Sequence, residues 1–557
     1  MNWKNLFLSA FLICTNIIAQ NPNFIWAKSC GSQSNDEAYS VIHDASGNVI
    51  ITGYFADTVD FDPSPATFTL ASVGNDDVFI QKLNASGNLV WVKSVGGTGD
   101  DIGNSVKVDA NGDVYLTGYF EGTVDFDPGA GVSNLTSNGF LDFYVLKLDA
   151  TGNFVWAKQI GGVDYDSGLS LNIDLNGNVI VGGSFQNSVD FDPGASTYSL
   201  TSFGSSDAFL VKLDGLGNFV WAKQFGGTDS EVIWSVDIDA TGNIYATGNF
   251  EGTADFDPSA STLNLISNGA RDVFVAKVSS SGNIDWAKAF GDASSDYGQS
   301  ISVDASGKVN ITGSFAGTVD FDPSATSFTM TSFGGLDIFI SQLDGTGNFV
   351  WAKQMGSSSN DAANGIDTDA NGNIYTTGNF QDTADFDPGN GTYNLISNGG
   401  RDIYLAMLNS SGNFGWAAQI GGISSDEGSG ISVDGLGNIF TVGYFRDTVD
   451  FNHEVGTLNL NSNGSSDAFI HKMNQATTNV YKFNRNNSFE VYPNPTNNFV
   501  FIQTQNLEKF SFINCFGQII EEFTVSSKKK LDVTKLPPGI YFLRNTQSGA
   551  TKKVLIE

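Results

Sequence analysis

Apolar positions in this chain come in short runs separated by turns rich in Asp, Asn and Gly. Around residue 110 the pattern is easy to follow. Residues 105–108 read as a strand. Asp109-Ala110-Asn111-Gly112-Asp113 reads as a turn, opened by an Asp that bonds its own backbone and relieved by a Gly free to take positive φ. Residues 114–120 form a second run, 143–148 a third and, after the turn Asp149-Ala150-Thr151-Gly152-Asn153, 154–158 a fourth. The runs are apolar on both faces, which predicts antiparallel four-stranded sheets covered on both sides. A surplus lies between the second and third strands. It holds V-D-F-D-P and then a segment such as Thr197-Tyr198-Ser199-Leu200-Thr201-Ser202, and it predicts an extra hairpin in every unit. No helix-period stretch appears after residue 20.

The pattern repeats without a slip. Trp26, Trp91, Trp156, Trp221, Trp286, Trp351 and Trp416 stand 65 residues apart, as do Phe61, Phe126, Phe191, Phe256, Phe321, Phe386 and Phe451. An open solenoid tolerates drift in repeat length, whereas a closed ring needs equal sectors. The expectation is an all-β, seven-bladed β-propeller of 65-residue blades. Each Trp is expected to bury an apolar area contributing on the order of 3 kcal/mol. The ring must also close. Residues 23–28 carry a fourth-strand sequence, and the seventh unit ends on a third strand at 467–472. The N-terminal strand is therefore expected to complete the last blade. Val480-Tyr481-Lys482 is the alternative occupant of that edge.

The phrases G-N-x-x-W-A-K, V-D-A-x-G-N-x-Y-x-T-G-x-F and D-A-F-L-V-K-L-D resemble the bacterial SBBP-type β-propeller repeat, over roughly residues 23–480. The resemblance implies a propeller fold and an extracytoplasmic location, and no particular reaction. After Phe483 the repeat stops. Strand-like runs at 499–502, 510–513 and 519–520 suggest a small β-sandwich. The opening Tyr492-Pro493-Asn494-Pro495-Thr496, the box Leu536-Pro537-Pro538-Gly539-Ile540-Tyr541 and the basic last strand together resemble the type A sorting domain of the type IX secretion system of Bacteroidetes. That resemblance implies that the secretion machinery engages residues 484–557 and carries the chain through the outer membrane. It also implies that the domain is then removed, and the remainder released or attached to the surface. A stalk or a ligand-binding sandwich is the alternative. At the other end, Lys4, the apolar residues 6–18 and Ala19 read as a signal peptide over 1–19. The expected domains are thus 1–19, 20–483 and 484–557.

Charge adds to this picture. The net charge is −33, yet residues 484–557 hold nine Lys/Arg against six Asp/Glu, leaving 18 basic and 54 acidic residues elsewhere. An acidic repeat region repels nucleic acid and anionic membrane and suits a soluble exported protein. No stretch after the signal peptide is long and apolar enough to span a bilayer. Cys30 falls where other units carry Val95, Ile160, Phe225, Phe290, Met355 and Ile420, so it reads as core. Cys515 lies in the other domain, and no disulfide is expected.

Candidate chemistry collects on one side. Strand direction puts the tight turns on one face and the hairpin and inter-unit loops on the other, and elaborated loops usually carry function. Two acidic series meet on that second face. Asp36, Asp101, Asp166, Glu231, Asp296, Asp361 and Asp426 precede the first strands, and are expected either as a ring at the channel mouth or as acceptors for loop amides. The D-F-D pairs, such as Asp60 with Asp62 and Asp125 with Asp127, suit a hard cation such as Ca²⁺ or an acidic turn entry. No cofactor is otherwise implied. In the seventh copy Asn452 and His453 replace Asp and Pro. Trp234 and Tyr39 interrupt small or polar residues at one first-strand position. For Trp234 a core role is expected, with ligand stacking as the alternative. The three His are scattered, and no nucleophile elbow, zinc-protease helix or phosphate loop occurs, so no catalytic residue is assigned. Two functions remain: a non-catalytic surface or secreted propeller with a glycan or protein ligand, and an extracellular glycan-active enzyme using carboxylates of the elaborated face.

Overall fold

The structure, a computed structural model, describes residues 22–475 except 260 and 455, and 489–557 except 505–506, 515–517 and 547–550. The signal peptide, the Val480-Tyr481-Lys482 segment and Cys515 lie outside the described residues. The chain divides into two compact units, Met1–Ala476 and Thr477–Glu557. Among the described residues every regular element is a strand.

In the larger unit one sheet recurs. Its second copy runs Ile102–Val108, Val114–Phe120, Asp142–Leu148 and Phe154–Ile160, all antiparallel and in chain order. The first strand starts three residues before the stretch legible in the sequence. The cause is a one-residue register shift between Gly103 and Ser105, a β-bulge that interrupts the alternation of side chains. The same shift occurs in the first strand of every other copy, as between Ala38 and Ser40 or Ile233 and Ser235. The middle strands are buried along their length, as in Val49–Phe55 and Asp77–Leu83, because a neighbouring sheet covers each face. Successive first strands pack side by side, from Glu37–His43 through Ile102–Val108 onward, and Glu427–Val433 packs back against Glu37–His43.

The last sheet is completed as expected. Asn23–Cys30 pairs with Asp467–Asn474, with Trp26 opposite Lys472, and the sheet continues through Asn438–Phe445 to Glu427–Val433. The extra hairpin is also present, as in Thr58–Asp60 with Thr69–Ala71. Its anchor is the Phe of V-D-F-D. Phe61 is buried edge-on against Phe55 at 5.3 Å between ring centres, and its amide donates to the Phe68 carbonyl at 3.0 Å. Edge-to-face rings of this kind are favourable beyond the area they bury.

The tryptophans are less enclosed than expected. Trp26 and Trp416 are buried, while the other five of the ruler are half-buried. Their indoles lie under the next unit's third–fourth turn. The Trp26 N–H donates to Ala85 O at 3.3 Å, Trp156 to Gly215 O at 3.3 Å and Trp286 to Gly345 O at 3.3 Å. The spacing therefore records contacts between units more than a core within each. Cys30 is half-buried, packed on the edge of the core around Val41, Ile51 and Phe79, and burial pushes its thiol pKa up.

The smaller unit contains a three-stranded sheet, Phe489–Tyr492, Phe499–Thr504 and Lys528–Asp532, and a four-stranded one. Both feed one core that includes Phe489, Val500, Phe510, Phe512, Leu543 and Val554. Lys528 and Lys530 lie over the rings of Phe501 and Phe499 at 4.2 and 3.8 Å, so basic side chains cover the faces of half-buried aromatic rings.

Candidate functional site

The acidic series before the first strands turns inward. Asp101 is 1% exposed; its Oδ2 accepts the Gly97 amide at 2.6 Å and its Oδ1 the Glu121 amide at 3.2 Å. Asp36, Asp166, Asp296, Asp361 and Asp426 accept the same pair of amides, four residues before and twenty after. They hold the inter-unit loop to the end of the second strand and do not form an open ring of charge. Burial raises their pKa values, to about 7 for Asp101, Asp166, Asp296 and Asp426. A second buried series, Asp77, Asp142, Asp207, Asp272, Asp337, Asp402 and Asp467, opens the third strands. It was readable in D-A-F-L-V-K-L, but nothing in that phrase marks the Asp as buried.

Glu231 departs from its series. Its longer side chain accepts the Gly227 amide through Oε2 at 2.8 Å, but Oε1 is buried without a partner. Burial raises its pKa to about 8.

The D-F-D carboxylates serve two different turns. Asp60 Oδ1 accepts the amides of Asp62 and Phe68 at 3.1 and 2.8 Å, and Asp62 Oδ1 accepts that of Ser64 at 2.9 Å. Asp125 and Asp127 repeat this with Asp127, Ser133 and Gly129. In the seventh copy the Asn452 side-chain oxygen accepts the Glu454 amide at 3.0 Å, so an uncharged acceptor fills the same place. Among the described residues no group of three or more His, Cys, Asp or Glu is placed to hold a metal ion.

The first strands enclose an axial cavity of about 370 Å³. The bulge residues stand at its rim: Tyr39, Asn104, Leu169, Trp234, Gln299, Asn364 and Ser429. They differ from unit to unit although their flanks repeat. Bulges re-aim side chains, which is why this position escapes the sheet packing that constrains its neighbours. Deeper in, the lining carries Lys107, Asp237 and Asp367, with Asn172 beside Asp237. Asp237 accepts the Val303 amide at 2.7 Å and the Asn172 side-chain amide at 2.8 Å, and Asp367 accepts the Val433 amide at 2.7 Å. Burial raises both pKa values, with the Lys107 ammonium pulling the other way.

Two places break the repeat on the elaborated side. At the seam, Tyr39 O–H donates to Glu37 and Tyr444 O–H to Glu427, each at 3.1 Å. The Arg446 guanidinium lies 5.7 Å from the Tyr444 ring centre, and burial raises the Glu37 pKa. In the fourth unit Trp234 is 37% exposed, which corrects the core expectation for it. Its indole walls a cavity of about 280 Å³ shared with Leu169, Asn249 and Arg271.

These features belong to a recognisable class. Residues 350–379 and 415–444 match the beta-propeller repeat family SBBP, and residues 490–557 match the secretion system C-terminal sorting domain. The chain carries β-propeller repeats and a type IX sorting tail, and is exported to the cell surface or the extracellular space. An uncharacterized WD repeat-containing protein of Acanthamoeba polyphaga mimivirus is similar at 24% identity over 423 residues, 64% of this chain. The regulatory protein FlaEY of Caulobacter vibrioides is similar at 26% over 161 residues, 29% of this chain. The matched stretches span 30% and 17% of those relatives' lengths.

Proposed function

We propose that residues 20–483 form a closed, seven-bladed propeller with no catalytic role, which binds an extracellular glycan or protein across its elaborated face. Residues 484–557, a β-sandwich, engage the secretion machinery. The observation that carries this reading is the division of labour on that face. Its repeated carboxylates are spent on backbone amides, while variation is concentrated in the bulge residues around the axial mouth. Deleting 484–557 and fractionating the cells tests the export half; the shortened chain is expected in the periplasm, and its arrival at the surface would refute the assignment.

A second reading, a glycan-active enzyme, draws support from the seam, where Glu37 and Glu427 face each other's units beside Arg446 and two tyrosines. Turnover of p-nitrophenyl glycosides by the exported chain, lost in both Glu37→Gln and Glu427→Gln, would replace the first reading with this one.

A further inference from the structure

The fourth unit departs from the repeat at several adjoining positions at once. Where six units place Asp, it has Glu231, whose Oε1 is buried and unpartnered. At the bulge it has Trp234, and directly before the third strand it has Arg271, a variable position that also carries Arg401 in the sixth unit. Glu231, Trp234 and Arg271 all border the cavity of about 280 Å³.

The geometry of that cavity is specific. The Trp234 N–H donates to the Asn249 side-chain oxygen at 2.6 Å, so the indole is held at its edge while the residue stays 37% exposed. A fixed aromatic surface loses little freedom when a ligand stacks on it. Arg271 Nε donates to Glu251 Oε1 at 2.7 Å, which neutralises the guanidinium and leaves its other N–H groups beside the pocket. The Ser206 and Ser230 hydroxyls also border it and make no side-chain hydrogen bond among the described residues. Glu231 adds a buried carboxyl oxygen, Oε1, that has no partner.

We propose that this pocket is a carbohydrate subsite for a neutral pyranose. A pyranose has an apolar C–H face, which suits the negative face of an indole, and a rim of hydroxyls, which suits serine, amide, guanidinium and carboxyl groups. A peptide aromatic ring would stack equally well, but it would strand the polar rim and leave Glu231 Oε1 buried and unmatched. The paired Arg271–Glu251 charges argue for an uncharged sugar. The proposal rests on the binding reading above and names its ligand class.

Saturation-transfer NMR on the full exported chain tests it, with the methyl α- and β-pyranosides of glucose, galactose and mannose as probes. Transfer to at least one glycoside is expected, lost in Trp234→Ala and retained in Trp234→Phe. Glu231→Asp supplies a variant that folds, because Asp at this position accepts both amides in the other units; it is expected to keep or raise the melting temperature while weakening the sugar signal. Overturning results are no transfer to any of these glycosides, transfer unchanged in Trp234→Ala, or binding of N-acetylphenylalaninamide in place of the sugars. None of these touches the export assignment or the absence of turnover, which fractionation and p-nitrophenyl glycosides report separately.

Discussion

A methyl group on Gly152 would sit 3.0 Å from Cδ2 of the Trp91 indole, one unit back. Gly152 has φ of +82°, as the tight third–fourth turn requires. The same turn glycine lies over the preceding unit's indole at Gly87, Gly217, Gly282, Gly347 and Gly412. Six sheets thus lay a turn on a neighbour's tryptophan, while the Trp416 N–H donates to Gln475 Oε1 at 2.9 Å. The contact allows neither a longer turn nor a larger residue.

Gly152→Ala is expected to destabilise the larger unit by about 2 kcal/mol, combining backbone strain with overpacking. Gly122→Ala is the control. Gly122 also has positive φ, 71°, but nothing lies within 4 Å of its added methyl, so strain alone remains, about 1 kcal/mol. Urea midpoints measure both, and equal losses would mean that the indole contact contributes nothing.

The two carboxylates of a D-F-D pair should respond differently to substitution. Asp60→Ala removes the acceptor of two amides and is expected to cost about 1 kcal/mol. Asp62→Asn should change stability by less than about 0.5 kcal/mol, because Asn452 already fills that role in the last copy. The melting midpoint in EDTA is expected to match that in excess Ca²⁺; a rise with Ca²⁺ that Asp62→Asn abolishes would establish a cation site instead.

Stability should rise in mild acid. The two buried carboxylate series have pKa values raised by desolvation, from 3.8 to about 7 for Asp101 and from 3.8 to about 6 for Asp402. A folded pKa above the unfolded one means that the folded chain binds more protons in this window. Their contribution is therefore fully present below the unfolded value and is lost as pH climbs from about 4 to about 7. Melting temperatures between pH 8 and pH 5 check the sign, and a fall toward pH 5 would contradict it.

His471 works in the opposite sense. It is fully buried beside Phe24, with ring centres 5.4 Å apart, and burial lowers its pKa from 6.5 to about 3. Below pH 6.5 the unfolded chain takes up the proton that the folded chain refuses, so this residue withdraws stability as the solution acidifies. In the first unit Gln81 occupies the same place and donates to the Phe61 carbonyl at 2.7 Å. His471→Gln is expected to increase the gain in melting temperature between pH 7 and pH 5. An unchanged gain would show that His471 does not titrate across this range.

Much of the frame was legible because it rests on equal spacing. The ruler at Trp26 and the third strand ending near Lys472 were enough to place the closing strand, and Trp26 stands opposite Lys472 in the register. The hairpin was legible from V-D-F-D-P and its distance to the third strand. The site was less so. A bulge shifts one residue and leaves no mark in composition, so Asn104 fell outside the strand read at 105–108, and Trp234 passed as core. Asp and Glu also read alike in a series of carboxylates. In space they differ by one methylene, which leaves Glu231 Oε1 without the second amide that its counterparts hold.

The strand Asn23–Cys30 is made more than 400 residues before the edge it must join, Asp467–Asn474. Intermediate sheets can settle as hairpins while the chain emerges, since their pairings are local. The closing pairing cannot, and the entropy of bringing two remote ends together must be met at that single step. Until then Phe24 and His471 are both uncovered, and the open edge of Asp467–Asn474 is free to pair with another chain. The pairing thus sets a sequence in time: the clasp can shut only once Asp467–Asn474 has been made, whatever has folded before it.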